Sequence, residues 1–322
     1  MTAQLTLFAN RRRRSRLKIL ASGDPKTQFR SRTAAQIYEG EGAPPRLLTS
    51  SAKSRKAEAI GVLNRILFFT PGVFCPASTE ACRAACLGHT SGNMQLPSSS
   101  AARDQRSAFY VEDQDRFLLR LRGELAETSA AARRRGQVPA VRLNGTSDLP
   151  WERLHPELFA EFPEIQFFDY TKLRPRFAAF LRSGDEWPRN YHLTFSGDGR
   201  NGDDLQRIAS EGGNVALVFW PVLPAAWRGI EVIDGDLHDA RFLDPRGVIV
   251  GLRAKGIARV DLSGFVERIC PYCPNSEKLS LQNCTETTHR ELTHNCPHCG
   301  FEDVSRWILP HALKCHQHPL AR

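Results

Sequence analysis

From Gly61 onward, short apolar runs alternate with segments whose apolar residues recur every three or four positions. The runs read as buried strands and the periodic segments as amphipathic helices. Gly61 to Phe69 is the first strand, and Arg46 to Thr49 is a short strand that joins the same domain. One long helix is expected from Ser107 to Arg135, with Phe117, Leu118, Leu121 and Leu125 on its apolar face and Gly136 as its stop. Then come strands at Ala140 to Leu143, Ile165 to Phe168, Tyr191 to Phe195, Val215 to Phe219, Ile230 to Ile233 and Val248 to Leu252. Helices are expected between them at Trp151 to Phe162, Leu173 to Leu181 and Asp203 to Ser210. Strands that alternate with helices imply parallel β-α-β units. The expected fold is therefore α/β, a parallel (β/α) barrel or partial barrel.

Polar residues follow nearly every strand at once. Leu143 leads to Asn144, Thr146, Ser147 and Asp148, and Phe168 leads to Asp169, Tyr170 and Lys172. Phe195 leads to Ser196 and Asp198, Ile233 to Asp234 and Asp236, and Leu252 to Arg253 and Lys255. In (β/α) barrels the C-terminal strand ends converge on one face, where catalytic groups gather. The expected catalytic set is Asp148, Asp169, Lys172, Asp234, Asp236 and Lys255. Each aspartate taken alone also fits a helix cap or a turn. His192, inside a strand, belongs to the site only if its face points inward.

Charge changes the picture at the N-terminus. Residues 1 to 56 hold 13 Lys/Arg against 3 Asp/Glu, and the rest of the chain holds 31 against 32. The formal +9 of the chain thus sits in a basic arm. Residues 1–55 read as a flexible arm that grips nucleic-acid phosphates, or as a solvated leader. No apolar run is long enough to span a membrane, and no signal-peptide pattern follows the N-terminal charges, so the expected location is the cytoplasm.

Nine cysteines in such a compartment point to metal rather than to disulfides. Cys75, Cys82 and Cys86 lie in the loop directly after the first strand. Three thiolates with one open position suit an iron–sulfur cluster with one free iron. Adding His89 would instead make a structural zinc site. Cys270-Pro271-Tyr272-Cys273 and Cys296-Pro297-His298-Cys299 are two knuckles with the spacing of a zinc ribbon. Residues 269–322 are expected to fold around that zinc, and the metal would supply most of so small a module's stability. With 5 basic and 5 acidic side chains, this segment suits a protein partner better than a phosphate backbone.

Two resemblances follow from these residues. The strings Val73 to Pro76, Ala84 to Leu87, Val141 to Asp148, Asp169 to Lys172, Asn190 to Ser196, Val232 to Asp236 and Val248 to Gly256 resemble the phage and plasmid proteins called gene product eighty-eight, over about residues 46–266. That resemblance implies a mobile-element setting and little chemistry. More loosely, the cysteine loop after the first strand is similar to that of radical S-adenosylmethionine enzymes, with Cys-x6-Cys-x3-Cys here in place of their Cys-x3-Cys-x2-Cys. This similarity implies a [4Fe-4S] cluster on Cys75, Cys82 and Cys86. It also implies S-adenosylmethionine bound by the polar loop Asn144, Thr146 and Ser147. The function expected on this reading is a radical enzyme acting on a nucleic acid or nucleotide. The alternatives are a metal-dependent nuclease built on the strand-end carboxylates and a non-catalytic, zinc-stabilised nucleic-acid-binding protein of replication or defence.

Overall fold

The computed structural model describes residues 46–90, 92–182, 187–198 and 202–269, without the side chain of residue 89. Residues 1–45 of the basic arm and the Cys270/Cys273/Cys296/Cys299 zinc ribbon, whose metal the sequence predicts, lie outside the described residues; residues 46–55, expected to be part of the flexible arm, instead carry a strand and the start of a helix, with Leu47 and Leu48 buried in the core. The described part is a mixed α/β fold on one ten-stranded, mostly parallel sheet.

The first strand, β1 (Leu48–Thr49), runs antiparallel to β2 (Val62–Leu67), with Leu48 opposite Leu67. Between them lies α1 (Ala52–Glu58), started by a capping box between Ser51 and Ser54. After β2 the chain makes the cysteine loop with two short helices, α2 (Glu80–Ala84) and α3 (Leu87–Thr90). The long helices α4 (Pro97–Glu112) and α5 (Gln114–Arg135) follow. Next come β3 (Val138–Arg142), the short helices α6 (Trp151–Leu154) and α7 (Glu157–Glu161), then β4 (Gln166–Thr171), α8 (Arg174–Arg182) and β5 (Tyr191–Ser196). The series ends with α9 (Gly202–Ser210), β6 (Val215–Trp220), β7 (Ala226–Trp227), β8 (Ile230–Asp234), β9 (Ile249–Arg253) and β10 (Val266–Arg268).

Strands β2 to β6 are each paired in parallel with the next, and β9 and β8 extend the sheet beyond β6. The path ends at β1 on one side and β7 on the other, so among the described residues no strand pairing closes a barrel. Polar contacts do link the two flanks. Lys53 on α1 reaches the Gly235 carbonyl and Asp236 after β8, each at 3.0 Å, and Lys56 reaches the Asp236 carbonyl at 2.9 Å.

Two expected helices are each interrupted. The single helix expected through Ser107 to Arg135 is two helices that meet at Asp113. There the backbone turns to φ −142° and ψ 73°, and the side chain accepts from the Arg116 amide at 3.2 Å. A short polar side chain that satisfies the new helix's first amides makes the break inexpensive. Trp151 to Phe162 also divides, at His155 and Pro156, because proline cannot donate to the preceding turn. The apolar stripe Phe117, Leu118, Leu121 and Leu125 is buried as its spacing predicts, and Gly136 ends α5 at φ 62°. Each of these side chains contributes about 1.5–3 kcal/mol on burial.

The main core lies between the helices α4 to α9 and one face of β2 to β6. Leu67, Val141, Phe167, Leu193 and Phe219 belong to it. The opposite face carries two smaller apolar groups. Ala57, Val62, Ala140, Phe168 and Ala240 pack near the strand N-termini, and Ala85, Trp220, Ala254, Ala258 and Val266 pack near the C-termini. Pairing at β6 places the C-terminal end. β5 pairs with β6 at Val215 and Ala216, and β10 then takes the same edge at Val218 to Trp220. β5 is thereby split from its neighbour just after Ser196, which pairs with Ala216, and Gly197, whose amide donates to the Ala216 carbonyl.

Candidate metal centre and polar networks at the strand ends

The cysteine loop is anchored before it reaches its first thiol. Val73 and Phe74 are buried in the core, and Phe74 meets the rings of Phe69 and Tyr110. Cys75 then points its thiol at the Thr146 carbonyl, 3.5 Å away on the loop after β3. Thr79 caps α2 by accepting from the Cys82 amide at 3.0 Å. The Cys86 carbonyl accepts from both the amide and the hydroxyl of Thr90, which starts α3. Gly88 lets this turn sit against Pro71 and Thr146, since a Cβ there would meet Pro71 Cγ at 2.4 Å. Arg103, nearly fully buried, ties the loop from below by donating to the carbonyls of Gly88 and Met94 at 3.0 and 2.9 Å.

Burial pushes the Cys75 thiol well above its ordinary range, and Cys86, Asp148 and Cys82 add to the rise. Among the described residues no three Cys, His, Asp or Glu side chains converge on a point that a single ion would occupy. A lone zinc needs its sulfurs at about 2.3 Å from one centre. An iron–sulfur cluster likewise needs its thiolates around one compact core. The His89 side chain, the fourth ligand of the zinc alternative, lies outside the described residues.

The loop 144–149 beside Cys75 is held by its own side chains. Asn144 donates through Nδ2 to the Leu149 carbonyl at 3.0 Å and to Asp169 at 3.1 Å. Its Oδ1 accepts from the Ser147 hydroxyl at 2.8 Å, the Leu149 amide at 2.9 Å and Trp151 Nε1 at 3.3 Å. The Thr146 hydroxyl donates to the Phe69 carbonyl. The three side chains expected to bind a cofactor are thus engaged inside the protein, and so are the Gly145 amide, on the Leu67 carbonyl, and the Asp148 amide, on the Phe74 carbonyl.

The expected catalytic residues fall into two internal networks. In the first, Asp148 accepts from the Lys172 amide at 2.8 Å and from Arg176 at 2.9 Å, and Arg176 also pairs with Glu152 at 3.0 Å. Asp169, fully buried, accepts from the Asn144 amide at 2.6 Å and the Tyr191 hydroxyl at 2.7 Å. Burial pushes its carboxyl up to about 7, against the pull of Arg176 and the Tyr191 bond. Lys172 spends its ammonium on the Ser196 carbonyl and hydroxyl and the Gly197 carbonyl, at 3.2, 2.9 and 2.7 Å, with Phe265 beside it. It clamps the point where β5 leaves β6.

The second network follows β8. Asp234 accepts from the Asp236 amide at 2.9 Å and from Arg253 at 2.8 Å. Asp236 pairs with Lys255 at 2.8 Å and Lys53 at 3.0 Å and accepts from the Arg253 amide at 3.0 Å. Burial alone would raise the Asp236 carboxyl, but the two lysines and the amide outweigh it and hold the group below the usual carboxylate range.

Sequence reasoning missed the partners that neutralise these groups: Arg176, Glu152, Tyr191 and Lys53. The one available signal was that Arg176 and Tyr191 sit among apolar residues, where an unpaired polar group is costly. His192 alternates with the core residues Tyr191 and Leu193 and so lies on the opposite face, beside Phe168. Burial, with Arg241 and Arg246 nearby, lowers it to about 4. Among the described residues no helix is long and apolar enough to cross a membrane.

No curated protein and no solved structure matches the chain. A family model does: gene product 88 matches residues 46–269, which takes in every described strand, the cysteine loop and both polar networks. The chain belongs to the gene product 88 family.

Proposed function

We propose that Cys75, Cys82 and Cys86 hold an iron–sulfur cluster at the C-terminal end of the parallel sheet, and that the chain is a cytoplasmic enzyme of the radical S-adenosylmethionine type acting on a nucleic acid or nucleotide. The observation that carries this reading is that the loop bearing all three thiols is held against the 144–149 loop, with the Cys75 thiol 3.5 Å from the Thr146 carbonyl. When bound, the cluster and S-adenosylmethionine supply radical chemistry. The chain's own part is to position and to exclude water. Phe74 and Arg103 fix the cysteine loop, Asn144 fixes the loop opposite, and the Gly145 amide ties that loop to the end of β2 through the Leu67 carbonyl. Gly145 is needed there, since a Cβ would meet the Leu67 carbonyl at 2.7 Å.

The divalent-metal nuclease loses ground on the same geometry. Asp148, Asp169, Asp234 and Asp236 already accept from arginines, lysines, amides or a phenol, so a magnesium ion would have to displace those partners. The basic arm supplies a nucleic-acid contact in this proposal, and the four-cysteine ribbon with its zinc supplies a protein contact.

Anaerobic purification of the full chain with iron and sulfide analysis tests the proposal. A brown protein with broad visible absorbance, lost in Cys82→Ala, is expected. A colourless protein that takes up no iron on anaerobic reconstitution, with zinc as its sole metal, would sink it.

A further inference from the structure

The sheet face turned away from α4 and α5 carries a layer of polar side chains, several of whose buried atoms have no hydrogen-bond partner. Asn64 on β2, Arg142 on β3, Tyr170 on β4, Thr194 on β5 and Trp220 on β6 all stand out of phase with the core residues Leu67, Val141, Phe167, Leu193 and Phe219, so they share this face. Tyr170 and Thr194 are direct register partners. The segment 238–244 crosses the same face: Ala240 packs with Val62, Ala140 and Phe168, and Arg241 is 1% exposed. The layer lies between the apolar group at the strand N-termini and the one at the C-termini, to which Ala85 of the cysteine loop belongs.

Within the layer, Arg142 lies 4.6 Å from the centre of the Tyr170 ring and 3.4 Å from Asp239. Arg241 donates to the His238 carbonyl at 2.7 Å and lies 3.3 Å from Asp244 without the alignment of a hydrogen bond. Of the eleven buried side-chain polar atoms without a hydrogen-bond partner among the described residues, nine are here. Interiors leave few such atoms, and a cluster of them on one face calls for a common partner. Five of the nine can only donate: Arg142 Nε, Arg241 Nε and Nη1, Trp220 Nε1 and Asn64 Nδ2. Only Asn64 Oδ1 and Asp244 Oδ2 are restricted to accepting, and the other two, on His192 and Thr194, take either role.

A surplus of donors that includes two guanidinium groups matches a ligand rich in acceptors. We propose that this layer is a binding site for a small molecule bearing an oxyanion, a carboxylate or a phosphate, clamped by Arg142 and Arg241 and contacted by Thr194, which sits beside Tyr170 on the next strand. The site needs no metal in the cysteine loop, so it stands or falls separately from the iron–sulfur reading.

Thermal unfolding of the full chain, titrated with inorganic phosphate and with malonate against sodium chloride at matched ionic strength, tests it. A saturable rise in Tm with one of the two anions, beyond that with chloride, is expected. Thr194→Val removes a hydroxyl that has no partner in the protein, so this variant folds; it and Arg142→Lys should each weaken the apparent affinity at least about tenfold, the worth of one charge-assisted hydrogen bond. No rise beyond chloride with either anion overturns the proposal, because the layer then needs only water. A rise that survives unchanged in both variants also overturns it, since the anion is then bound elsewhere.

Discussion

Replacing Asn144 with alanine takes five hydrogen bonds out of one buried loop. The amide donates two, to the Leu149 carbonyl and Asp169, and accepts three, from Ser147, the Leu149 amide and Trp151. No water can reach a side chain that is 1% exposed, so the former partners are left unpaired. At about 0.5–1.5 kcal/mol for each bond, with the long Trp151 contact near the low end, the loss is about 3–5 kcal/mol. That is a large part of the ~5–15 kcal/mol that holds a domain together, and for a domain of this size it corresponds to a fall in Tm of about 10 °C. Urea unfolding followed by circular dichroism measures it directly. Asn144→Asp sharpens the test. It keeps the accepting oxygen but sets a second carboxylate oxygen where Nδ2 now lies, 3.1 Å from Asp169. Two carboxylates that close cannot both ionise, so this variant should lose more stability at pH 8 than at pH 5. A loss below about 1 kcal/mol in Asn144→Ala would show that the side chain is not what holds the loop, and the placement of the loop beside Cys75 would need another cause.

The two networks respond to pH in opposite senses. The Asp169 carboxyl is raised by burial from 3.8 to about 7, so the folded chain holds a proton that the unfolded chain has released; stability falls as pH rises from about 4 to 7, and Asp169→Asn should flatten that fall in denaturation curves taken across the range. The Asp236 carboxyl is depressed by Lys53, Lys255 and the Arg253 amide against its own burial, so its contribution is present above about 3.9 and is lost as pH falls below it; Asp236→Asn should remove that acid-side loss, and an unchanged acid limb would refute the pairing.

Local chemistry was enough to place most of the elements. Strands β2 to β6, β8 and β9 were visible as short runs dominated by apolar residues, as strands covered on both faces are; β7, two residues long, was missed. The stripe on α5 was visible because Phe117, Leu118, Leu121 and Leu125 return at helical spacing, and its end because Gly136 takes the left-handed turn that other residues avoid. The cysteine loop and its position after the first strand needed only counting. The break at Asp113 was missed because an aspartate inside a periodic segment looks like one more exposed polar position until its side chain is seen to cap the next helix. β10 was missed because Val266 to Arg268 is too short to show any period; it exists only because β5 leaves the edge of β6 free beyond Ala216.

The strand-end residues were found as a set, but what each does was beyond the reach of local pattern. A carboxylate that will bind a metal and one that will pair with a buried arginine look alike along the chain. The difference lies in partners far away in sequence: Arg176 for Asp148, Tyr191 for Asp169, Lys53 for Asp236. The unpaired layer around Arg142 and Arg241 is further out of reach, because being unpaired is a property of everything that surrounds an atom. Residue spacing along a chain fixes faces and loop positions through the period of a strand or helix. Which polar groups end up satisfied depends on contacts between segments up to 180 or so residues apart, as between Lys53 and Gly235, and these form only when the sheet assembles.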